Sequence, residues 1–124
     1  MATEKADKIV VIATYGPEDP ERACLPFVMA NAALAMDTQA VVILQDTAVT
    51  LAKKGCYEHV FAAGLPSLKD LVDSFVELGG SLMVCLSCIN ERKITKEMLV
   101  ETAHPIKAAR AFTEVLEASA TLNY

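Results

Sequence analysis

Apolar runs alternating with amphipathic stretches predict an α/β fold, a three-layer α/β/α sandwich around a mostly parallel five-stranded sheet. Two observations carry that prediction. Ile9–Ala13, Ala40–Leu44 and Leu82–Leu86 are apolar at every position, as strands covered on both faces are. Between them lie stretches with apolar residues at helical spacing, entered through capping residues and left through glycine. The 124 residues read as one domain over 1–124, long enough to bury about two-thirds of the unfolded surface.

Ile9–Ala13 is the first strand, and Thr14–Pro20 breaks it with turn residues. A helix is expected from about Pro20 to Met36, with Asp19 as N-cap and Pro20 at its first position. Pro26, lacking an N–H, is expected to delay or kink its first turn. Leu25, Val28, Met29, Ala32 and Ala33 fall at helical spacing and form its expected apolar face. Ala40–Leu44 is the second strand, after which Asp46 or Thr47 is expected to cap a helix to about Lys54, stopped by Gly55. Tyr57–Ala62 is read as a third strand. Ser67 should cap a helix over about Leu68–Leu78, with Leu68, Leu71, Val72, Phe75 and Val76 as its stripe.

Gly79-Gly80 ends that helix, and Leu82–Leu86 follows as a strand. Thr95, Met98 and Leu99 suggest one or two further helical turns. His104-Pro105 reads as a break, Pro105–Ser119 as the last long helix and Ala120–Tyr124 as an edge strand. Short right-handed crossovers put the loop after each strand at one sheet edge, where Thr14–Gly16, Gln45–Asp46 and Cys85–Lys93 gather.

Composition excludes several classes of function. Hydrophobic residues at 53% against 22% charged describe a globular chain, not a disordered one. A net charge of −5 lacks the basic footprint that nucleic acid requires. No apolar run approaches the roughly 18 residues of a membrane span. The first eight residues are polar and lead straight into a strand, which does not read as a secretory leader. The expected address is the cytoplasm, with four reduced cysteines.

Chemistry concentrates at Cys85 and Cys88, a Cys-x-x-Cys placed where a buried strand surfaces into a loop. A thiol at a following helix start, with Arg92 and Lys93 nearby, is favoured as thiolate. The alternative is that both are small buried hydrophobes, since free cysteine is often fully buried. Cys24 enters the first helix near the same edge, either as an accessory thiol or as core. Cys56 should be structural, at the opposite edge. Four ligands for a closed zinc site are missing, because Cys24, Cys56, His59 and His104 have no paired spacing; no metal is expected. Gly16 stands alone beside Glu18 and Asp19, so a phosphate cradle is disfavoured and no cofactor is expected.

Taken together, Ile9–Ala13, Arg22–Ala35, Ala40–Gly55 and the cysteine-ended strand running on to Arg92-Lys93-Ile94 resemble the DsrE/DsrF-like family of small sulfur-relay proteins, which includes the TusD-type subunits. Family members often have Arg-Gly-aliphatic where this chain has Arg92-Lys93-Ile94. The resemblance implies a flavodoxin-like sandwich, a homotrimer or homohexamer, and a cysteine that carries sulfur as a persulfide. That cysteine maps onto Cys85, and Cys88 has a counterpart only in some branches. The expected function is sulfur trafficking between donor and acceptor proteins or small thiols, with Arg92, Lys93 and Tyr15 holding the anion. A non-catalytic oligomeric binding module and a Cys85/Cys88 dithiol redox protein are the alternatives.

Overall fold

The computed structural model describes residues 7–124. Strands β1 (Lys8–Ala13), β2 (Gln39–Leu44), β3 (Ser81–Cys85), β4 (Ala103–Ile106) and β5 (Ala120–Asn123) form one sheet in the order β4-β3-β2-β1-β5. Every neighbouring pair is parallel, with Val11 beside Val42, Ile43 beside Met83 and Cys85 beside Ile106. Helices α1 (Pro20–Ala35), α2 (Leu68–Glu77), α3 (Leu86–Glu91) and α4 (Ala108–Glu117) connect the strands, with 3₁₀ turns at Asp46–Ala52, Tyr57–His59 and Lys96–Met98.

Alternate strand residues face opposite sides, and both sides are covered. Val11, Val42, Leu82 and Val84 pack with Phe27 of α1 and Phe75 of α2 on one face. Val10, Val41, Ile43 and Met83 pack with Ala111, Val115 and Ala118, in and just after α4, on the other. This is the expected three-layer sandwich, and its sheet is parallel throughout. The Phe27 and Phe75 rings meet edge to face, 5.6 Å apart at 83°, and join the two helices of the thicker layer.

The chain steps across the sheet from β1 to β4, then returns over the other face through α4 to place β5 beside β1. Ile89 of α3 belongs to the first core cluster, whereas Ala111 of α4 packs on the second. The backbone therefore leaves β3 and β4 toward opposite faces. That divergence makes the carboxyl ends of β3 and β4 a switch point, where open α/β sheets form crevices.

Several expectations are corrected. Tyr57–Ala62 is not a strand: Tyr57–His59 is a 3₁₀ turn. Both edges of β2 are already taken by β1 and β3, and Val60 instead plugs the core from a loop. The remaining strand is β4, which runs through His104-Pro105 where a break was expected. Proline is tolerated there because β4 is an edge strand with its far side unpaired. The last helix accordingly starts at Ala108, not Pro105. The stretch after β2 is a 3₁₀ turn without a side-chain cap, not an α-helix.

Helix α1 begins as expected, with the Arg22 amide donating to Asp19 Oδ1 at 3.1 Å, and it continues through Pro26. Its inward face differs. Ala23, Cys24, Phe27 and Ala30 are buried, while Met29 is 41% exposed and Ala32 is exposed. The helix is apolar nearly all round, so spacing alone does not orient it. Contact with Phe75 does.

Candidate functional site

Cys85 is the last residue of β3 and the N-cap of α3, so its side chain emerges half-buried where the backbone changes from strand to helix. Its Sγ lies 3.3 Å from the Ser87 hydroxyl. Burial by itself pushes a thiol up, but hydrogen bonds from the Cys88 thiol, the Ser87 hydroxyl and the Cys88 and Ser87 amides outweigh it and hold Cys85 below the ordinary thiol range. Cys88 moves the opposite way. Burial and its hydrogen bond to Cys85 raise it, and the Asp46 amide and the Arg92 charge only partly offset that. Of the two thiols, Cys85 is the one favoured as thiolate, while Cys88 keeps its proton.

Cys88 is gripped from the β2 end. The Asp46 amide donates to Cys88 Sγ at 3.3 Å, and Asp46 adopts a left-handed φ of 53°. Arg92 closes the loop, with Nη2 on Asp46 Oδ1 at 2.9 Å and Nη1 donating to the Cys88 carbonyl at 3.2 Å. Asx residues accept this backbone region more readily than others, and such strain gathers at functional sites.

Behind this grip, the β1 and β2 loops are locked together. The Gly16 amide donates to Glu18 Oε2 at 3.0 Å and to Thr47 Oγ1 at 3.1 Å, and the Thr47 hydroxyl bonds the same carboxylate. Gly16 is needed because a Cβ would sit 2.5 Å from the Thr47 carbonyl oxygen. Burial pushes Glu18 up, yet the Thr47 and Gly16 hydrogen bonds and the Arg92 charge leave it lowered, hence ionised.

On its other side Cys85 borders a cleft of about 290 Å³ at the switch point between β3 and β4. Ile43, Ile106 and Ala111 make its apolar wall. Gln45, Ser87, Asn90 and Lys107 supply polar groups. Cys88 does not line it.

The structure thus brings Cys85, Cys88 and Arg92 together and sets the other expected residues apart. Cys24 is fully buried on α1, and burial raises its pKa. The Tyr15 hydroxyl accepts from Arg22 Nη1 at 3.0 Å, and Tyr15 does not line the cleft. Lys93 is exposed with φ 55° and ends α3: its amide bonds the Asn90 carbonyl and that of Ile94 the Ile89 carbonyl. That is a Schellman end, which glycine adopts without cost. Cys56 is half-buried in a loop. Gln45 and Asn90 lie in stretches expected at this sheet edge, whereas Lys107 was not anticipated there. The available signal was topological, since helices on opposite faces need a strand between them.

A profile of the DsrE/DsrF-like family matches residues 7–124. The chain belongs to the DsrE/DsrF-like family. Membership ties it to sulfur relay at the level of the family. The uncharacterised protein MJ0760 of Methanocaldococcus jannaschii is 32% identical over 100 residues, which is 81% of this chain but 36% of that protein. This DsrE-like chain therefore spans little more than a third of that curated relative. Among solved structures, the YchN protein of E. coli superposes with a TM-score of 0.81 at 18% identity, covering 95% of this chain and 99% of that one. MTH1491 of Methanobacterium thermoautotrophicum, a protein of unknown function, does so at 0.73 and 12% identity, covering 97% and 100%. These likenesses establish the flavodoxin-like α/β fold of the DsrE-like domain. Among the described residues no helix is long and apolar enough to cross a membrane, and no three His, Cys, Asp or Glu side chains are grouped to hold a metal ion.

Proposed function

We propose that this DsrE-like protein carries sulfur as a persulfide on Cys85. The observation that carries the reading is the placing of Cys85 at the β3-to-α3 junction on the mouth of a cleft that Cys88 does not line, with the Cys85 pKa lowered and that of Cys88 raised. The Cys85 thiolate attacks the outer sulfur of a donor persulfide R–S–SH. A bond forms from Cys85 to that sulfur, the R–S bond to it breaks, and R–S⁻ leaves with the electron pair. The product, Cys85–S–SH, sits among the Ser87 hydroxyl and the Ser87 and Cys88 amides that held the thiolate. An acceptor thiolate then takes the outer sulfur and returns Cys85 to its starting state. Donor and acceptor are partner proteins or small thiols, and the setting is cytoplasmic.

Cys88 supports a second reading. Its thiolate can attack the inner sulfur of Cys85–S–SH, closing a Cys85–Cys88 disulfide and expelling HS⁻, after which an external dithiol must reduce the pair. The raised Cys88 pKa disfavours this step at neutral pH and so favours the carrier. Exposed apolar side chains on α4, Phe112 at 63% and Leu116 at 70%, fit assembly into a homotrimer or homohexamer.

Intact mass after incubation with a persulfide donor tests the reading. One added sulfur in wild type and Cys88→Ser, absent in Cys85→Ser, supports the carrier. Loss of two hydrogens in wild type, with the sulfur accumulating only in Cys88→Ser, supports the dithiol. No adduct with any donor leaves a non-catalytic binding module.

A further inference from the structure

The cleft beside Cys85 is small, and Cys88 is not among the residues that line it. Its volume of about 290 Å³ lies at the bottom of the range for small-molecule sites, roughly 300–1,000 Å³. Ile43, Ile106 and Ala111 offer an apolar wall for a short hydrocarbon body. Among the residues that line it, Lys107 is the only charged one and no carboxylate is present. Lys107 is also the N-cap residue of α4, and it is exposed. The chain as a whole carries a net charge of −5, so a preference for anions in this cleft has to be local.

We propose that the cleft receives the sulfur substrate as a small molecule, a low-molecular-mass persulfide bearing one negative charge, with Lys107 facing the charge and Cys85 facing the sulfur. This rests on Cys85 being the sulfur-accepting thiol and names the substrate class for it. The Cys85 thiolate takes the outer sulfur of R–S–SH, the sulfur–sulfur bond of the donor breaks, and the anionic thiol R–S⁻ departs through the cleft mouth. The reaction is a transfer between thiols and needs no oxidant. Cys88 lies outside the cleft, so the entering molecule meets one thiol only.

Charge selectivity at Cys85 is the test. In a Cys56→Ser/Cys88→Ser background, Cys85 is modified with sulfonatoethyl, trimethylammonioethyl and methyl methanethiosulfonate, which are anionic, cationic and neutral. Each charged reagent's rate is divided by the neutral one. The anion-to-cation ratio is expected to fall by about threefold to tenfold in Lys107→Gln and to be retained in Lys107→Arg, the size of one charge acting across a partly solvated cleft. A ratio that Lys107→Gln leaves unchanged overturns the proposal. Sulfur gain from the persulfide of β-mercaptopropionate is likewise expected to exceed that from the persulfide of cysteamine, and equal gain overturns it. If the neutral reagent labels Cys85 but neither persulfide leaves sulfur there, the carrier reading itself fails and the substrate assignment falls with it.

Discussion

The backbone amide of Asp46, at the end of β2, donates a hydrogen bond to the sulfur of Cys88 on α3 at 3.3 Å. The turn after β2 and helix α3, distant in sequence, thereby meet at one thiol while the other borders the cleft. The Cys88 thiol beside Cys85 is in turn one of the groups that lower the Cys85 pKa. Removing that donor as Cys88→Ala should slow alkylation of Cys85 by iodoacetamide several-fold at neutral pH, whereas Cys88→Ser, which keeps a hydroxyl donor, should slow it less. Peptide-resolved labelling rates check this. Equal rates in all three proteins would mean that the Cys88 proton does not matter to Cys85.

Lys93 occupies a left-handed position that glycine accepts without steric cost. Its side chain is exposed, so little packing is lost on truncation. Lys93→Gly should raise stability by about 0.5–1 kcal/mol, read as a higher urea midpoint at constant slope. A lower midpoint would show that the turn at the end of α3 is not left-handed.

Gly80 follows α2 so closely that a Cβ would lie 2.2 Å from the Phe75 ring, a fully buried side chain. Gly80→Ala should therefore cost about 1–3 kcal/mol. Adding Phe75→Leu to it should cost less than Phe75→Leu costs in wild type, because the ring that clashes is gone. Simple additivity in the double-mutant cycle would refute the contact.

Glu114 is 6% exposed on α4, bonded by Lys8 Nζ at 3.0 Å and Arg110 Nε at 2.8 Å. Burial raises its pKa, but these two cations bring it below the ordinary carboxylate value. A depressed folded pKa means the unfolded chain binds the proton more readily. The contribution is then complete above the unfolded value of about 4.3 and lost as pH falls through the folded one. Glu114→Gln should cost about 1–3 kcal/mol at pH 7, and that gap should narrow below about pH 4. A gap independent of pH would remove the charge from the explanation.

The legible parts of this chain are those where local chemistry and burial agree. Asp19 before Pro20, Ser67 before Leu68 and the glycine pair at 79–80 marked helix ends that the fold keeps. The three apolar runs became the three central strands because a strand covered on both faces has no polar face to show. Cys85 was legible for the same reason, as the point where such a run turns polar.

Illegible were the features that only neighbours decide. β4 spans four residues and contains Pro105, and nothing local distinguishes it from a break. It is a strand because β3 offers a free edge and the crossover must land somewhere. Without β4 there is no switch point, hence no cleft and no place for Lys107. The inward face of α1 was likewise set by Phe75 across the layer and not by its own spacing.

The sequence alone determined the order of layers and the family, and it pointed to Cys85 as the candidate thiol, because strand burial, caps and a Cys-x-x-Cys are local and survive in one dimension. The tertiary structure decided which thiol's pKa is lowered and which raised, which is buried and what faces them. A thiol's pKa and a cleft's lining depend on groups from β2, β4 and α4 that meet Cys85 only when the chain is folded.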